Sequence, residues 1–339
     1  MNEKVAELRE RDLAVVLAVL TGQAVSGRRI REASPVTNSA TFDEEYRMVD
    51  EESRTTIIDG LIFPEGLRWR GDELWFCDIE EHEVITADAA GTVRGRLAFP
   101  GEYPIGLAWT PDGALVVGGR FERLLTSRNG EIHVLRDIEV DGVVDSWSND
   151  TVVDVAGRIY VSSFGKAYDL SDHGSNEQKL EGAGRILLVD LDGNIRKVAG
   201  GLSMPNTMQI TPDGGTLICC DSFAHRVVKY AIQRDGSLGP GQLFAQFDEM
   251  TDGSTLDRAG GLWVAFPHVK QARRVLDGGV VTDVIEFEDE VFDVALGGPA
   301  GISLFAATSN LAATTPPADG SERARPGRII RIEVDVPAA

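Results

Sequence analysis

The 339-residue chain carries 54 acidic against 33 basic side chains, for a formal charge of −21 and a pI of about 4.6. Its 42% hydrophobic content can bury a sizeable core, while so acidic a surface repels phosphate backbones and anionic lipid, which excludes general nucleic-acid or membrane-surface binding. No stretch approaches the roughly eighteen uninterrupted apolar residues of a membrane-spanning helix.

In chain order, Val5, Leu8, Leu13, Val16, Leu17 and Leu20 fall at helical spacing and predict an amphipathic helix. Such a helix packs on the rest of the chain or on a neighbouring copy, the second of which would make a homo-oligomer. Ser34, Pro35 and Asn38 then read as a linker that closes an extension over residues 1–40. Acids crowd the first twenty residues and their apolar run is short, a poor export signal. Cys77, Cys219 and Cys220 lie in apolar, strand-like runs and form no CxxC pair. Free thiols and a cytoplasmic location are the expectation.

From residue 41 onward a short β-prone pattern recurs six times: ELWFCDI (73–79), ALVVGGR (114–120), RIYVSSF (158–164), TLICCDS (216–222), GLWVAFP (261–267) and SLFAATS (303–309). Each copy has a short strand before it and another after it, and turns such as TPDG, DVAG and DRAG punctuate the hairpins. Five copies continue through a further turn into a fourth strand. Four antiparallel strands per unit, repeated every 40 to 60 residues or so, describe an all-β, six-bladed β-propeller over residues 41–339. The sixth unit lacks its fourth strand, and RTTIID (54–59) can supply it and close the ring.

Alignment of the six units puts one residue of each at the mouth of the innermost strand: Glu65, Ile105, Asn149, Asn206, Asp252 and Phe292. Two carboxylates and two carboxamides thus meet round one axis. Converging unpaired carboxylates are costly, and a divalent cation relieves them. Donors that are all oxygen suit Ca²⁺ best, with Mg²⁺ and Mn²⁺ next and Zn²⁺ as a further possibility. Asp150 and Asp293 sit one residue further in, Asp293 as a further acid at the substrate site or simply as a hydrogen-bonding turn residue.

Two long connections, Gly165 to Gly184 and Asn310 to Gly327, open on the mouth side and read as lids. His82, His173, His225 and His268 fall in or near such connections as surface residues, with His225 and His268 the first to test. Phe63, Tyr103, Trp147, Phe164, Met204, Phe266 and Phe292 flank the mouth. Among these Trp147, Phe292 and Tyr103, together with His268, are the expected substrate contacts. No GxSxG elbow, P-loop or helix-opening GxGxxG is present, which leaves serine hydrolases, kinases and dehydrogenases unsupported.

The strings IFPEGLRW, DSWSNDTVVDVAGRIYVSS, GLSMPNTMQITPDGGTLICCDS and TDGSTLDRAGGLWVA resemble four blade motifs of one family. It is the senescence marker protein, gluconolactonase and luciferin-regenerating-enzyme-like group of six-bladed propellers, and the resemblance runs over about residues 57–335. It implies that Glu65, Asn206 and Asp252 hold one divalent metal, that Asn149 lies beside it and orients substrate, and that Asp252 is the general base. Trp147 stands where sugar-lactone members tend to carry Arg, Thr207 where Gly is usual, and Asp293 where a small hydroxyl residue is typical. These departures point away from an aldonolactone. The expected activity is metal-dependent opening of a lactone or related ester, relatively apolar or aromatic, with Asp252 and Asn149 catalytic. The same centre suits a phosphotriesterase or a carbonyl isomerase, and a non-enzymatic binding propeller with a structural Ca²⁺ is the contrasting class.

Overall fold

The computed structural model describes residues 41–50, 53–119, 123–128, 131–138, 146–167, 176–314 and 322–339. The extension expected over residues 1–40, with its helix and linker, lies outside them and gains no support. The described chain opens instead on a strand, β1 (Thr41–Met48), followed by β2 (Arg54–Leu61).

Six sheets follow one another. Blade one holds β3 (Pro64–Arg70), β4 (Glu73–Asp78), β5 (Glu83–Ala87) and β6 (Val93–Ala98). Blade two holds β7 (Pro104–Trp109), β8 (Leu115–Gly119), β9 (Arg123–Arg128) and β10 (Glu131–Asp137). Blade three holds β11 (Ser146–Val153), β12 (Ile159–Ala167), β13 (Gly184–Val189) and β14 (Ile195–Leu202), with a short helix α1 (Asn176–Leu180) between its second and third strands. Blade four holds β15 (Pro205–Ile210), β16 (Thr216–Asp221), β17 (Arg226–Ala231) and β18 (Gln242–Gln246). Blade five holds β19 (Ser254–Leu256), β20 (Leu262–Phe266), β21 (Gln271–Val275) and β22 (Val280–Glu286). Blade six holds β23 (Glu290–Gly297), β24 (Ser303–Ser309) and β25 (Gly327–Glu333).

The ring closes as the repeat count requires. Strand β2 pairs antiparallel with β25, from Arg54 opposite Ile332 to Leu61 opposite Gly327, and becomes the outermost strand of blade six. Strand β1 was not foreseen. It adds to blade five as a fifth strand, parallel to β22. A parallel neighbour arrives without a hairpin turn, so no local signal announces it. Among the described residues no helix is long and apolar enough to cross a membrane.

Apolar faces of adjacent blades pack on each other. Between blades six and one, Trp69 stacks on Phe305 with ring centroids 5.3 Å apart, in a cluster with Leu67, Leu74, Phe76 and Ile85. Gly297 makes that possible, because a Cβ there would lie 2.1 Å from the indole of Trp69. The three cysteines are free and buried, as their apolar surroundings require.

One irregularity recurs at the entrance of the inner strands. Pairing with the second strand slips between Glu65 and Arg68, Pro104 and Gly106, Ser148 and Thr151, Pro205 and Met208, and Val291 and Asp293. A bulge of this kind bends the strand, re-aims a side chain and leaves backbone groups without ladder partners. In blade one the bulge depends on Gly66, whose φ is +63° and whose notional Cβ would stand 1.9 Å from the Ile105 carbonyl oxygen.

Two glycines at similar φ separate conformational strain from collision. Gly71 has φ +65° and open space around it, so Gly71→Ala should cost about 1–2 kcal/mol in urea unfolding, the left-handed penalty alone. Gly66→Ala adds a backbone collision and should cost at least about twice as much. Equal losses would show that the blade one–blade two contact yields freely.

Candidate functional site

The bulges are where the site is built. Ile105, Asn149, Asn206 and Phe292 each fall within a register slip, Glu65 opens one, and Asp252 lies two residues before the short β19. Asp252 donates its amide to the Ala265 carbonyl at 2.9 Å, and Gly253 donates to the Phe292 carbonyl at 2.8 Å, which ties blade five to blade six at this level. Glu65, Asn206, Asp252 and Phe292 are buried, while Ile105 and Asn149 are partly so.

Glu65, Asn206 and Asp252 come together as polar groups. Asn206 Nδ2 donates to Asp252 Oδ1, and Asn206 Oδ1 accepts the Thr207 amide at 2.8 Å. Glu65 Oε2 accepts the Gly66 amide at 3.0 Å. Asp252 Oδ2 is buried and has no hydrogen-bond partner. Burial pushes the Glu65 carboxyl well above the usual range, and the Asp252 and Asp293 carboxylates push it further. Asp252 is raised by burial and then by Asp293, against the Asn206 hydrogen bond. Asn149 stands at the same register on blade three.

Asp150 and Asp293 occupy equivalent positions on blades three and six, and both satisfy amides freed by a bulge on the next blade. Asp150 Oδ2 accepts Met208 N at 2.7 Å, and Asp293 Oδ2 accepts Leu67 N at 2.6 Å. Asp293 Oδ1 also accepts its neighbour Val294 N at 2.8 Å. This geometry matches the hydrogen-bonding reading of Asp293, both of whose oxygens are engaged by backbone. Burial raises its carboxyl to about 7, with Arg68 and the two amides opposing.

Arg68 is the residue that sequence reasoning missed. It reaches from blade one to Asp150 on blade three, Nη2 to Oδ1 at 2.5 Å, and Nη1 donates to the Leu67 carbonyl at 2.9 Å. Its only advance signal was its place three residues after Glu65, within the bulge.

The apolar residues that flank these positions in the chain gather as well. Phe63, Tyr103, Trp147, Phe164, Met204 and Phe292 belong to one buried cluster, as expected, whereas Phe266 packs elsewhere, edge-on to Phe247. Phe63 meets Phe292 edge-to-face at 5.0 Å, and Trp147 lies 6.4 Å from Phe164. Leu180, from the first long connection, and Leu311, from the second, complete the same cluster. Met204 adopts φ +62° two residues before Asn206, a left-handed conformation uncommon for a bulky side chain.

The histidines sort by position. His82 and His225 are the left-handed residues that end the turns Ile79–Glu81 and Ser222–Ala224. His82 also packs edge-on to Tyr103 at 4.4 Å, and its Nδ1 lies 2.6 Å from the Glu102 carbonyl. His268 is exposed on the turn Pro267–Val269. His173 lies outside the described residues.

A divalent cation fits the donor chemistry. Asp252 Oδ2 is a buried carboxyl oxygen without a partner, and Asp252 stands close enough to Glu65 to disfavour the charge of that carboxyl. Among the described residues no three His, Cys, Asp or Glu side chains form a ligand set on their own, so a cation here would also need the carboxamides. Asn206 presents Nδ2 to Asp252 in this structure; a half-turn of its carboxamide would present the oxygen.

The six sheets and their closure define a six-bladed β-propeller. The chain belongs to the SMP-30/gluconolactonase/LRE-like region family, whose pattern it matches over residues 63–310. It is 27% identical over 268 residues to pentonolactonase XacC of Haloferax volcanii, spanning 72% of this chain and 81% of that protein. It is 25% identical over 221 residues to a 6-deoxy-6-sulfogluconolactonase of Pseudomonas putida, spanning 64% and 72% of the two chains. Regucalcin of Agrobacterium tumefaciens, described as a calcium-binding protein, superposes with a TM-score of 0.68 over 86% of this chain and 97% of its own, at 19% identity. At that identity the superposition speaks for the fold alone.

The raised carboxyls give the cation-free protein a definite pH response. A carboxyl whose folded pKa exceeds its unfolded value stabilises the fold while protonated, fully below about pH 4. That contribution is lost as pH rises through the folded value, about 7 for Asp293 and also raised for Glu65 and Asp252. Chelator-treated protein should therefore melt at a higher temperature at pH 5 than at pH 8, and excess Ca²⁺ should remove that slope. A slope of opposite sign, or one indifferent to Ca²⁺, contradicts the assignment.

Proposed function

We propose that the chain is a divalent-metal-dependent hydrolase that opens a lactone ring, with Ca²⁺ the preferred ion. One observation carries the reading: the unpartnered, buried Asp252 Oδ2 beside Glu65 and Asn206, at the mouth of a propeller from a family that includes gluconolactonases. The named lactonase relatives, acting on several different lactones, support ring opening as the common chemistry.

Glu65, Asn206 and Asp252 would hold the cation, with Asn149 beside them. Bound there, it supplies electrostatic stabilisation to a carbonyl oxygen as negative charge develops. Asp252 Oδ2 accepts the proton of the attacking water as oxygen bonds to the acyl carbon. The same proton passes to the ring oxygen when its bond to that carbon breaks. One water is consumed and a hydroxy acid results. Asn149 orients the substrate, and the buried apolar cluster excludes bulk water from the reacting atoms.

The apolar cluster also argues for the substrate. Trp147, Phe164, Phe292 and Tyr103 offer mainly ring faces and edges, which suit a lactone bearing few hydroxyls. Leu180 and Leu311 bring both long connections into that cluster, as lids would.

In a panel of alkyl- and aryl-substituted lactones beside sugar lactones, the less hydroxylated members should be opened faster. Asp252→Asn should lower kcat/KM by at least about a hundredfold while the protein stays folded. Trp147→Ala should raise KM for apolar lactones more than it changes kcat. Full activity in Asp252→Asn, or turnover confined to sugar lactones, would overturn the corresponding part of the reading.

A further inference from the structure

The four buried carboxylates of the mouth divide into two pairs, and one guanidinium makes the division. Arg68 bonds Asp150 at 2.5 Å, and its field acts on Asp150 and Asp293. Its side chain is only 17% exposed. Asp150 and Asp293 have their remaining oxygens on Met208 N, Leu67 N and Val294 N, so this pair is satisfied by the protein itself. Glu65 and Asp252 are treated differently. The charged groups that act most on Glu65 are carboxylates, Asp252, Asp293 and Asp150, and Asp252 has only the Asn206 amide in its favour. Among the described residues no basic side chain forms an ion pair with either.

The position of Arg68 is prepared by the fold. It projects from the blade one bulge past blade two, whose inner strand carries Gly106 where any Cβ would lie 2.6 Å from Thr151 N and 2.9 Å from Asp150 Cα. Glycine at that place lets Asp150 stand close to blade two and within reach of Arg68. Through Asp150 the guanidinium links blades one, three and four across the axis, since the other Asp150 oxygen holds Met208 of blade four.

We infer that Arg68 is the built-in cation of the channel, a positioning residue that pairs with Asp150, beside the amide-held Asp293, and so limits the mouth to a single divalent ion at Glu65 and Asp252. The inference rests on the metal reading of those two residues and goes beyond it by assigning to Arg68 the cause of the single-ion count. An arginine cannot lose its proton in a protein, so this internal cation persists under all conditions in which the fold exists. A permanent positive charge also keeps a second divalent ion from the Asp150 side. The fold accordingly has a cation of its own and does not depend on calcium for assembly.

Calcium titration calorimetry and melting curves, with and without EDTA, test this on the full chain. Wild type should bind one Ca²⁺ and remain folded in EDTA. Arg68→Met should bind a second Ca²⁺ or bind the first at least about tenfold more tightly, and its melting temperature should respond to calcium more strongly than that of wild type. Arg68→Lys should behave as wild type, and Arg68→Met/Asp150→Asn should return to one ion, because the charge removed is then balanced by a carboxylate removed. A purely structural Arg68 would lower stability without moving stoichiometry or affinity. One-site binding of unchanged affinity in Arg68→Met overturns this inference and leaves the metal reading standing. No calcium binding by wild type overturns both. If Arg68→Met fails to fold with or without calcium, the double variant decides: folding with one bound ion upholds the charge balance, and failure to fold assigns Arg68 a packing role and overturns the proposal.

Discussion

A carboxylate removed from water must be met by a cation, by hydrogen-bond donors or by a proton, and the mouth of this propeller gathers four of them. The way each is met organises the centre of the molecule. Asp150 and Asp293 are answered from within, by amides that the inner-strand bulges set free and by Arg68. Glu65 and Asp252 receive one backbone amide and one carboxamide between them and keep a bare oxygen. The bulges are therefore more than kinks. They turn the acids inward and free the amides that hold half of the set, so geometry and charge compensation have one origin.

Around that centre the fold supplies rigidity. Closure by β2 removes the free edge of blade six, and interlocking contacts such as Trp69 over Gly297 fix how neighbouring blades meet. Only with the blades so fixed can residues far apart in the chain, such as Glu65 and Asp252, keep their mutual placement. The apolar cluster at the mouth is continuous with this packing. Leu180 and Leu311, from the two long connections, join Trp147, Phe164 and Phe292 in one buried cluster.

Much of this was legible in the amino-acid order because the repeat makes one blade a template for the next. The six β-prone runs, the Gly-containing turns between strands and the unpaired RTTIID segment lead directly to six blades closed by the N-terminal strand. Residues aligned at the strand entrances also fall at the register slips, since a repeat carries its irregularities with it. What escaped notice was non-local. Strand β1 joins blade five across more than two hundred residues of chain with no turn to announce it. Arg68 looks like an ordinary strand residue until Asp150, two blades away, is placed beside it. Phe266 differs from the other six aromatic or apolar side chains at the mouth only in which inter-blade gap it enters, and no local pattern records that.

The central claim is that Glu65 and Asp252, with Asn206, are a pair of acids held for one divalent cation. The most direct measurement is anomalous scattering from crystals equilibrated with Mn²⁺, an ion with the same preference for oxygen donors. The account predicts one strong peak at about 2.0–2.6 Å from carboxylate oxygens of both Glu65 and Asp252, with the Asn206 oxygen turned toward it. An absence of any peak at the mouth, or a peak held by Asp150 and Asp293 instead, would contradict it.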